Sequence, residues 1–171
     1  MPAEAARTWR TARGSLALDG PLIVGILNVT PDSFSDGGRF TGTEAALAHA
    51  ESLLRDGAAI IDVGGESTRP GRTESVPTKE ELRRVLPVVS ALADAGCVVS
   101  VDTTRAEVAE AALAAGAALV NDVSGGLADP EMAGVVRDAR VPFVAMHWRG
   151  HSDHMQDLAV YDDVVADVVA E

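Results

Sequence analysis

The stretch Cys97–Asp122, CVVSVDTTRAEVAEAALAAGAALVND, contains the repeat that decides the fold. It opens with an apolar run rich in valine, which favours a β-strand. An alanine-rich run with helical character follows and ends at Gly116, because glycine is the residue that helix C-termini favour. A second apolar run, Ala117–Val120, comes directly after that glycine. The stretch therefore predicts a strand, a helix and a second strand.

The same alternation of apolar run and helical run extends over most of the chain. Strands that are apolar at every position are buried on both faces, which is typical of a parallel sheet covered by helices. The pattern predicts an α/β protein, either an open doubly wound sheet or a barrel. The predicted strands are Leu22–Leu27, Ala58–Val63, Cys97–Val101, Ala117–Val120 and Val141–Met146.

Three helix starts are predicted from local sequence. Thr78 and Thr104 each stand three residues before a glutamate, which is the pattern of a capping box with threonine as the cap. Asp129-Pro130 predicts a further start, with aspartate as the cap and proline in the first turn.

Composition and charge limit the kinds of molecule that the chain could bind. The chain has 171 residues, and its net charge of −12 comes without a basic run that could follow a nucleic-acid backbone. Residues 1–19 contain no apolar segment of the kind that a signal peptide or a membrane span needs. We therefore expect a cytoplasmic protein with an N-terminal extension (1–19) and one domain (20–171), binding neither nucleic acid nor membrane.

Polar residues follow each predicted strand at its carboxyl end. Asn28 follows the first strand, the segment 64–69 the second, Asp102 the third, Asn121 the fourth and His147 the fifth. In a barrel these ends meet on one face, where barrel active sites lie. A helix cap or a turn explains any one of these residues, but not all of them at the same edge. The pattern therefore predicts an active site there.

Five segments of the chain match the motifs of one enzyme family: Gly25–Gly38 (GILNVTPDSFSDGG), Ile60–Gly71 (IIDVGGESTRPG), Ser100–Thr103 (SVDT), Val120–Gly126 (VNDVSGG) and Ala145–His147 (AMH). Over residues 20–171 the chain resembles dihydropteroate synthase. The resemblance implies a (β/α)₈ TIM barrel, of which this chain holds about five βα units. It also implies the joining of 6-hydroxymethyl-7,8-dihydropterin diphosphate to p-aminobenzoate in folate biosynthesis, with Mg²⁺ as cofactor.

The resemblance further implies roles for particular residues. Asn28 corresponds to a Mg²⁺ ligand, and its neutral amide oxygen suits a hard cation that keeps most of its waters. Asp102 and Asn121 correspond to pterin-binding residues, and Asp102 is also expected to be catalytic by stabilising positive charge on the pterin ring. Four loop residues correspond to the remaining substrate contacts: Thr68 and Arg69 for anionic groups, Phe34 and Pro70 for p-aminobenzoate.

Two other functions fit part of the pattern. The methyltetrahydrofolate-binding domain of a methyltransferase could share Asp102 and Asn121, but it has no diphosphate or p-aminobenzoate for the loop 28–38 to bind. A non-catalytic half-barrel fits the length, because a whole barrel needs roughly 250 residues. We expect the chain to be a fragment of a longer enzyme. The sequence leaves open whether it forms a homodimer.

Overall fold

The computed structural model describes residues 7–30, 42–66, 76–151 and 155–171, which contain seven strands and five helices. The strands are β1 (Thr8–Thr11), β2 (Gly14–Ala17), β3 (Ile23–Asn28), β4 (Ala58–Gly64), β5 (Val99–Asp102), β6 (Leu119–Asp122) and β7 (Phe143–Ala145). The helices are α1 (Gly42–Arg55), α2 (Thr78–Asp94), α3 (Ala106–Ala114), α4 (Met132–Ala139) and α5 (Val164–Ala170). Within these described ranges, no helix has the length and apolar character needed to cross a bilayer.

Strands β3 to β7 form one parallel sheet, in the order in which they occur in the chain. The predicted parallel sheet is confirmed, and helices α1 to α4 alternate with its strands. A doubly wound sheet reverses its strand order at a switch point, whereas a barrel adds each new strand beside the previous one. The unbroken order therefore favours the barrel over the open sheet.

The two faces of this sheet differ in what covers them. On the outer face, alternate strand residues pack with the helices in one apolar core that includes Leu27, Ile61, Val63, Val99, Val101 and Val120 from the strands and Ala50, Val85, Val89, Val108 and Ala112 from the helices. The inner face carries the intervening residues, and Ile26 on this face is 65% exposed. The helices thus cover the outer face, while part of the inner face is open.

An antiparallel hairpin of β1 and β2 lies at the amino ends of the parallel strands. Trp9 of this hairpin packs with Ile60 and Leu119, which lie near the starts of β4 and β6. The backbone amide of Ala12 donates to the carbonyl oxygen of Ala118 at 3.2 Å. The hairpin, which the sequence did not predict, therefore covers the end of the sheet opposite the carboxyl ends of the strands.

The helix starts differ from the predicted capping boxes. Pro77 is the N-cap residue of α2 and Arg105 that of α3, so neither threonine is the cap. The amide of Ala106 donates instead to Asp129 Oδ2 at 2.8 Å, a carboxylate 23 residues further along the chain. Asp129 Oδ1 accepts from the amide of Glu131 at 3.0 Å, at the start of α4. Both threonine predictions were wrong. The N-cap residue of α4 is Glu131, so the prediction of Asp129 as that cap was wrong as well, although the Asp129 carboxylate bonds the turn that precedes α4.

Replacing Gly116 with alanine is expected to destabilise the fold. Gly116 has a φ of +110°, and a β-carbon there would lie 2.7 Å from the Ala93 β-carbon and 2.8 Å from Arg13 Nη1. Arg13 Nη2 donates to the carbonyl oxygen of Ala93 at 3.2 Å, so the new methyl group would displace a link between the hairpin and α2. We expect Gly116→Ala to lower the free energy of unfolding, measured by urea denaturation, by about 1–3 kcal/mol.

Gly134→Ala is the matched control. A β-carbon at Gly134 meets no neighbour within 4 Å, and the residue lies inside α4. Alanine favours a helix over glycine, so this substitution should raise the free energy of unfolding by about 0.5–1 kcal/mol. Equal effects of the two substitutions would contradict the close packing at Gly116.

Candidate active site

Four residues occupy one row across the carboxyl ends of the parallel strands. Asn28 pairs with Gly64, which pairs in turn with Asp102. Asp102 pairs with Asn121. Residues in register in a parallel sheet point to the same face, so these side chains share the inner face. The structure brings together the three predicted site residues that it describes: Asn28, Asp102 and Asn121.

Gly64 leaves space between two of these side chains. A β-carbon at Gly64 would lie 3.4 Å from Asp102 Oδ2 and 3.5 Å from Asn28 Oδ1. The carboxylate and the amide oxygen therefore border the same small space above the glycine. A ligand or a cation in that space would meet oxygen atoms from both sides.

A further polar residue, Asp62, lies on the same face, one step closer to the amino ends of the strands. It is 6% exposed, and its Oδ2 accepts a hydrogen bond from Asn121 Nδ2 at 2.9 Å. Its Oδ1 is buried without a hydrogen-bond partner among the described residues. The sequence-based prediction did not include Asp62, although an aspartate within an apolar strand is a usable signal, because buried aspartates are rare.

Asp102 is held in surroundings that disfavour its charge. The pKa of Asp102 is raised from 3.8 to about 7, mainly by burial and in addition by the negative charges of Asp62, Glu81 and Asp122. Its Oδ1 is buried and, within the described part of the chain, accepts no hydrogen bond. A ligand that brought a positive charge or an N–H donor to this carboxylate would favour its ionised form.

A network of buried charge lies on the outer side of the same strand ends. Glu81 of α2 is 1% exposed, and its Oε1 accepts from Thr103 Oγ1 at 2.7 Å. Arg105 donates to Glu81, to Glu66 Oε2 at 2.6 Å and to the carbonyl oxygen of Val76 at 2.8 Å. Burial raises the pKa of Glu81, while the hydrogen bonds from Thr103 and Arg105 oppose that rise. One guanidinium thus joins α2 to the residues that follow β4 and β5.

Asp122 has a different place from its neighbour Asn121. It is fully buried, and its Oδ1 accepts from the amide and the hydroxyl of Ser124, each at 2.7 Å. Its Oδ2 accepts from the amide of Gly126 at 2.9 Å. The carboxylate of Asp122 therefore holds the turn after β6, whereas Asn121 belongs to the row on the inner face.

The remaining predicted positions divide into two groups. Phe34, Thr68, Arg69 and Pro70 lie outside the described residues, and their roles stay predictions. His147 is described, and its Nε2 lies 2.8 Å from Glu171 Oε2.

The raised pKa of Asp102 predicts a loss of stability as the pH rises. Its pKa of about 7 in the folded chain exceeds the ordinary 3.8, so the folded chain keeps a proton that the unfolded chain releases between these values. The stability contributed by this proton is complete below about pH 4 and falls as the pH rises towards 7, by at most about 1.4 kcal/mol per pH unit. Asparagine does not titrate, so the Asp102→Asn variant should not show this decrease in stability.

Urea denaturation of the two proteins over the range of about pH 4 to 8 measures the difference between their free energies of unfolding. We expect the Asn variant to gain stability relative to the native chain as the pH rises. A difference that stays constant across this range would contradict a buried Asp102 that holds its proton.

Arg105 is expected to matter far more for stability than an exposed arginine of α2. Arg105→Met would leave Glu81 buried without its charged partner, which should lower the free energy of unfolding by about 3 kcal/mol. The matched control is Arg83→Met, because Arg83 pairs with Glu80 at 2.7 Å but is 72% exposed. That control should leave the free energy of unfolding nearly unchanged. Similar losses for the two variants would contradict the importance of the buried network.

Comparison with protein families identifies one match over most of the chain. The family model described as "Pterin binding enzyme" matches residues 24–171. The dihydropteroate synthase of Mycobacterium leprae is 53% identical to the chain over 87% of the chain and 52% of the relative. The chain thus spans about half the length of the curated dihydropteroate synthases it matches.

Solved structures give the same result for the fold. A structure of Xanthomonas albilineans dihydropteroate synthase with 4-aminobenzoic acid superimposes with a TM-score of 0.81 and 51% identity, covering 90% of this chain and 54% of that one. A second structure of that enzyme, in complex with 7,8-dihydropteroate, gives a TM-score of 0.76 and 46% identity, covering 90% and 52%. The chain belongs to the pterin-binding enzyme family and shares its fold with the dihydropteroate synthases of that family.

Proposed function

We propose that this chain forms the pterin-binding half of a dihydropteroate synthase. The enzyme condenses 6-hydroxymethyl-7,8-dihydropterin diphosphate with p-aminobenzoate, giving 7,8-dihydropteroate and diphosphate in folate biosynthesis. The observation that carries the proposal is the row of Asn28, Asp102 and Asn121 at the carboxyl ends of the strands. This is the face on which barrel enzymes carry out their chemistry.

Asp102 and Asn121 present the groups that the edge of a pterin requires. A pterin alternates N–H donors with nitrogen and oxygen acceptors along one edge, and a carboxylate beside an amide can match both kinds of group. Asp102 Oδ1 has no hydrogen-bond partner among the described residues, so a ligand N–H would satisfy a buried acceptor. The same hydrogen bond would favour the ionised carboxylate, against the burial that raises its pKa.

The reaction exchanges one bond of the pterin methyl carbon for another. The C–O bond to diphosphate breaks, with the electron pair leaving on the diphosphate, and a C–N bond to the amine of p-aminobenzoate forms as that amine loses a proton. If the C–O bond breaks first, positive charge spreads into the pterin ring. The carboxylate of Asp102 would then stabilise the transition state more than the ground state, which is the condition for a catalytic role.

The amide oxygen of Asn28 suits Mg²⁺ in this reaction. It is a neutral, hard donor that borders the space above Gly64. The described residues contain no group of three or more acidic, histidine or cysteine side chains that could enclose a metal ion. Asn28 would therefore hold Mg²⁺ together with waters and diphosphate oxygens. When bound, the ion supplies positive charge beside the leaving group.

The other assignments rest on the family motifs alone. We assign Thr68 and Arg69 to the anionic groups of the substrates, and Phe34 and Pro70 to the p-aminobenzoate pocket. A cytoplasmic location belongs to the same proposal.

A completed barrel tests the proposed function. It consists of this chain joined to the C-terminal half of a relative's sequence, and the chain alone is assayed beside it. We expect the completed barrel to form 7,8-dihydropteroate from the two substrates in the presence of Mg²⁺, and the chain alone to form none. A folded completed barrel without this activity would contradict the proposal.

Asp102→Asn in the completed barrel tests the proposed catalytic charge. Because α3 takes its cap from Asp129, the carboxylate of Asp102 is not needed to start that helix. We expect turnover to fall on the order of a hundredfold without a lower melting temperature.

Asp129→Asn is the matched control for this substitution. It should lower stability by about 1 kcal/mol, because the amide nitrogen cannot accept one of the two hydrogen bonds that come from Ala106 and Glu131, while turnover stays unchanged. Near-normal turnover in the Asp102→Asn variant would contradict the proposed catalytic role of the Asp102 charge.

A further inference from the structure

Asp62 is a buried carboxylate in the middle of an apolar strand, where folding alone gives no reason for one. Its neighbours in β4, Ile61 and Val63, are fully buried parts of the outer core. Aspartate is depleted in strands, and burying a carboxylate with one unpartnered oxygen destabilises a fold. Asp62 Oδ1 is such an oxygen among the described residues. A role in the neighbouring site accounts for a residue that the core does not need.

The hydrogen bond between Asp62 and Asn121 fixes which end of an amide faces the site. Asn121 Nδ2 donates to Asp62 Oδ2 at 2.9 Å, which turns the nitrogen end of the amide towards Asp62. Asp62 lies one step nearer the amino ends of the strands than the row that contains Asn121. Asp62 lies on β4 and Asn121 on β6, so Asn121 Nδ2 points across the sheet, over β5, as well as towards the amino ends of the strands. The planar amide therefore directs its Oδ1 away from Asp62 and β4, which would leave this oxygen to meet a ligand at the strand ends.

We infer that Asp62 is a positioning residue that fixes the amide of Asn121 with its carbonyl oxygen towards the ligand, and so selects a ligand with an N–H donor at that point. The inference rests on the proposed function, because it requires a pterin to bind at Asp102 and Asn121. It adds a specificity role for a residue that does not itself contact the substrate. Without Asp62, the Asn121 amide could rotate by half a turn, and it would then bind a donor or an acceptor of the ligand equally well.

Two ligands that differ at one group test this selection in the completed barrel. The probes are 7,8-dihydropterin, which carries an amino group on C2, and its 2-deamino analogue, which carries hydrogen at the same position and keeps the ring nitrogens unchanged. Isothermal titration calorimetry gives the Kd of each ligand, and the ratio of the two Kd values measures the selection. If Asp62 were purely structural, its replacement would weaken the binding of both ligands alike and leave the ratio of the two Kd values unchanged.

Asp62→Asn is the decisive variant, because an asparagine both donates and accepts and no longer fixes the Asn121 amide. We expect it to reduce the preference for the pterin about tenfold. Ser100→Ala is the matched control: Ser100 is buried and pairs with Asp62 in the sheet, and it should leave the ratio unchanged. A ratio that Asp62→Asn leaves within about twofold of the native value would overturn the inference.

A double-mutant cycle with Asn121→Ala separates positioning from direct contact. If Asp62 acts through Asn121, Asp62→Asn should have no further effect once Asn121 is alanine. An equal effect in both backgrounds would overturn the positioning role, because Asp62 would then act on the ligand by itself. Asp62→Ser is measured in parallel, and failure of both Asp62 variants to fold would also overturn the inference. Absence of pterin binding by the native completed barrel would instead refute the proposed function.

Discussion

The parallel register of β3 to β6 is the constraint on which the candidate site depends. Side chains alternate between the two faces of a strand, so a shift of one residue would turn Asp102 and Asn121 towards the helices and carry Val101 and Val120 inward. The outward-facing valines, packed against the helices, therefore fix the direction of the polar residues beside them. The hydrophobic pattern therefore sets the face on which the site residues lie, while the hydrogen bond from Asn121 to Asp62 sets the orientation of the amide.

The buried charges on the two sides of this sheet are not independent. Glu81 and Arg105 pair on the outer side, yet the charge of Glu81 contributes to the raised pKa of Asp102 on the inner side. A buried ion pair adds little stability compared with apolar packing, but removing one partner is costly. The network therefore serves mainly to fix the ends of β4 and β5. Its negative charge also disfavours the ionised form of the nearby Asp102 carboxylate.

Local sequence patterns predicted the sheet and three residues that the structure brings together in the candidate site, but not the contacts between distant side chains. The apolar strands and the polar residues that end them are local features, and Asp102 and Asn121 were found in this way. Glu81 matched a capping box, whereas its charged partner Arg105 lies 24 residues away. Asp62 was predicted only as part of a strand. Its hydrogen-bond partner, Asn121, lies 59 residues further along the chain, so no local pattern connects the two. Spacing along the chain carries no information about such pairs until the strands are placed side by side.

The agreement between strand order and chain order has a consequence for biosynthesis. Each strand from β4 to β7 pairs with the strand that leaves the ribosome just before it, so the sheet needs no segment that has yet to be translated. Contacts between units close in the chain form quickly, because little entropy is lost in bringing them together. A nascent polypeptide can therefore seal its outer core with helices while Ile26, on the inner face, still contacts water. The row of Asn28, Asp102 and Asn121, which we propose binds the pterin, would then exist in the growing chain before the barrel closes around it.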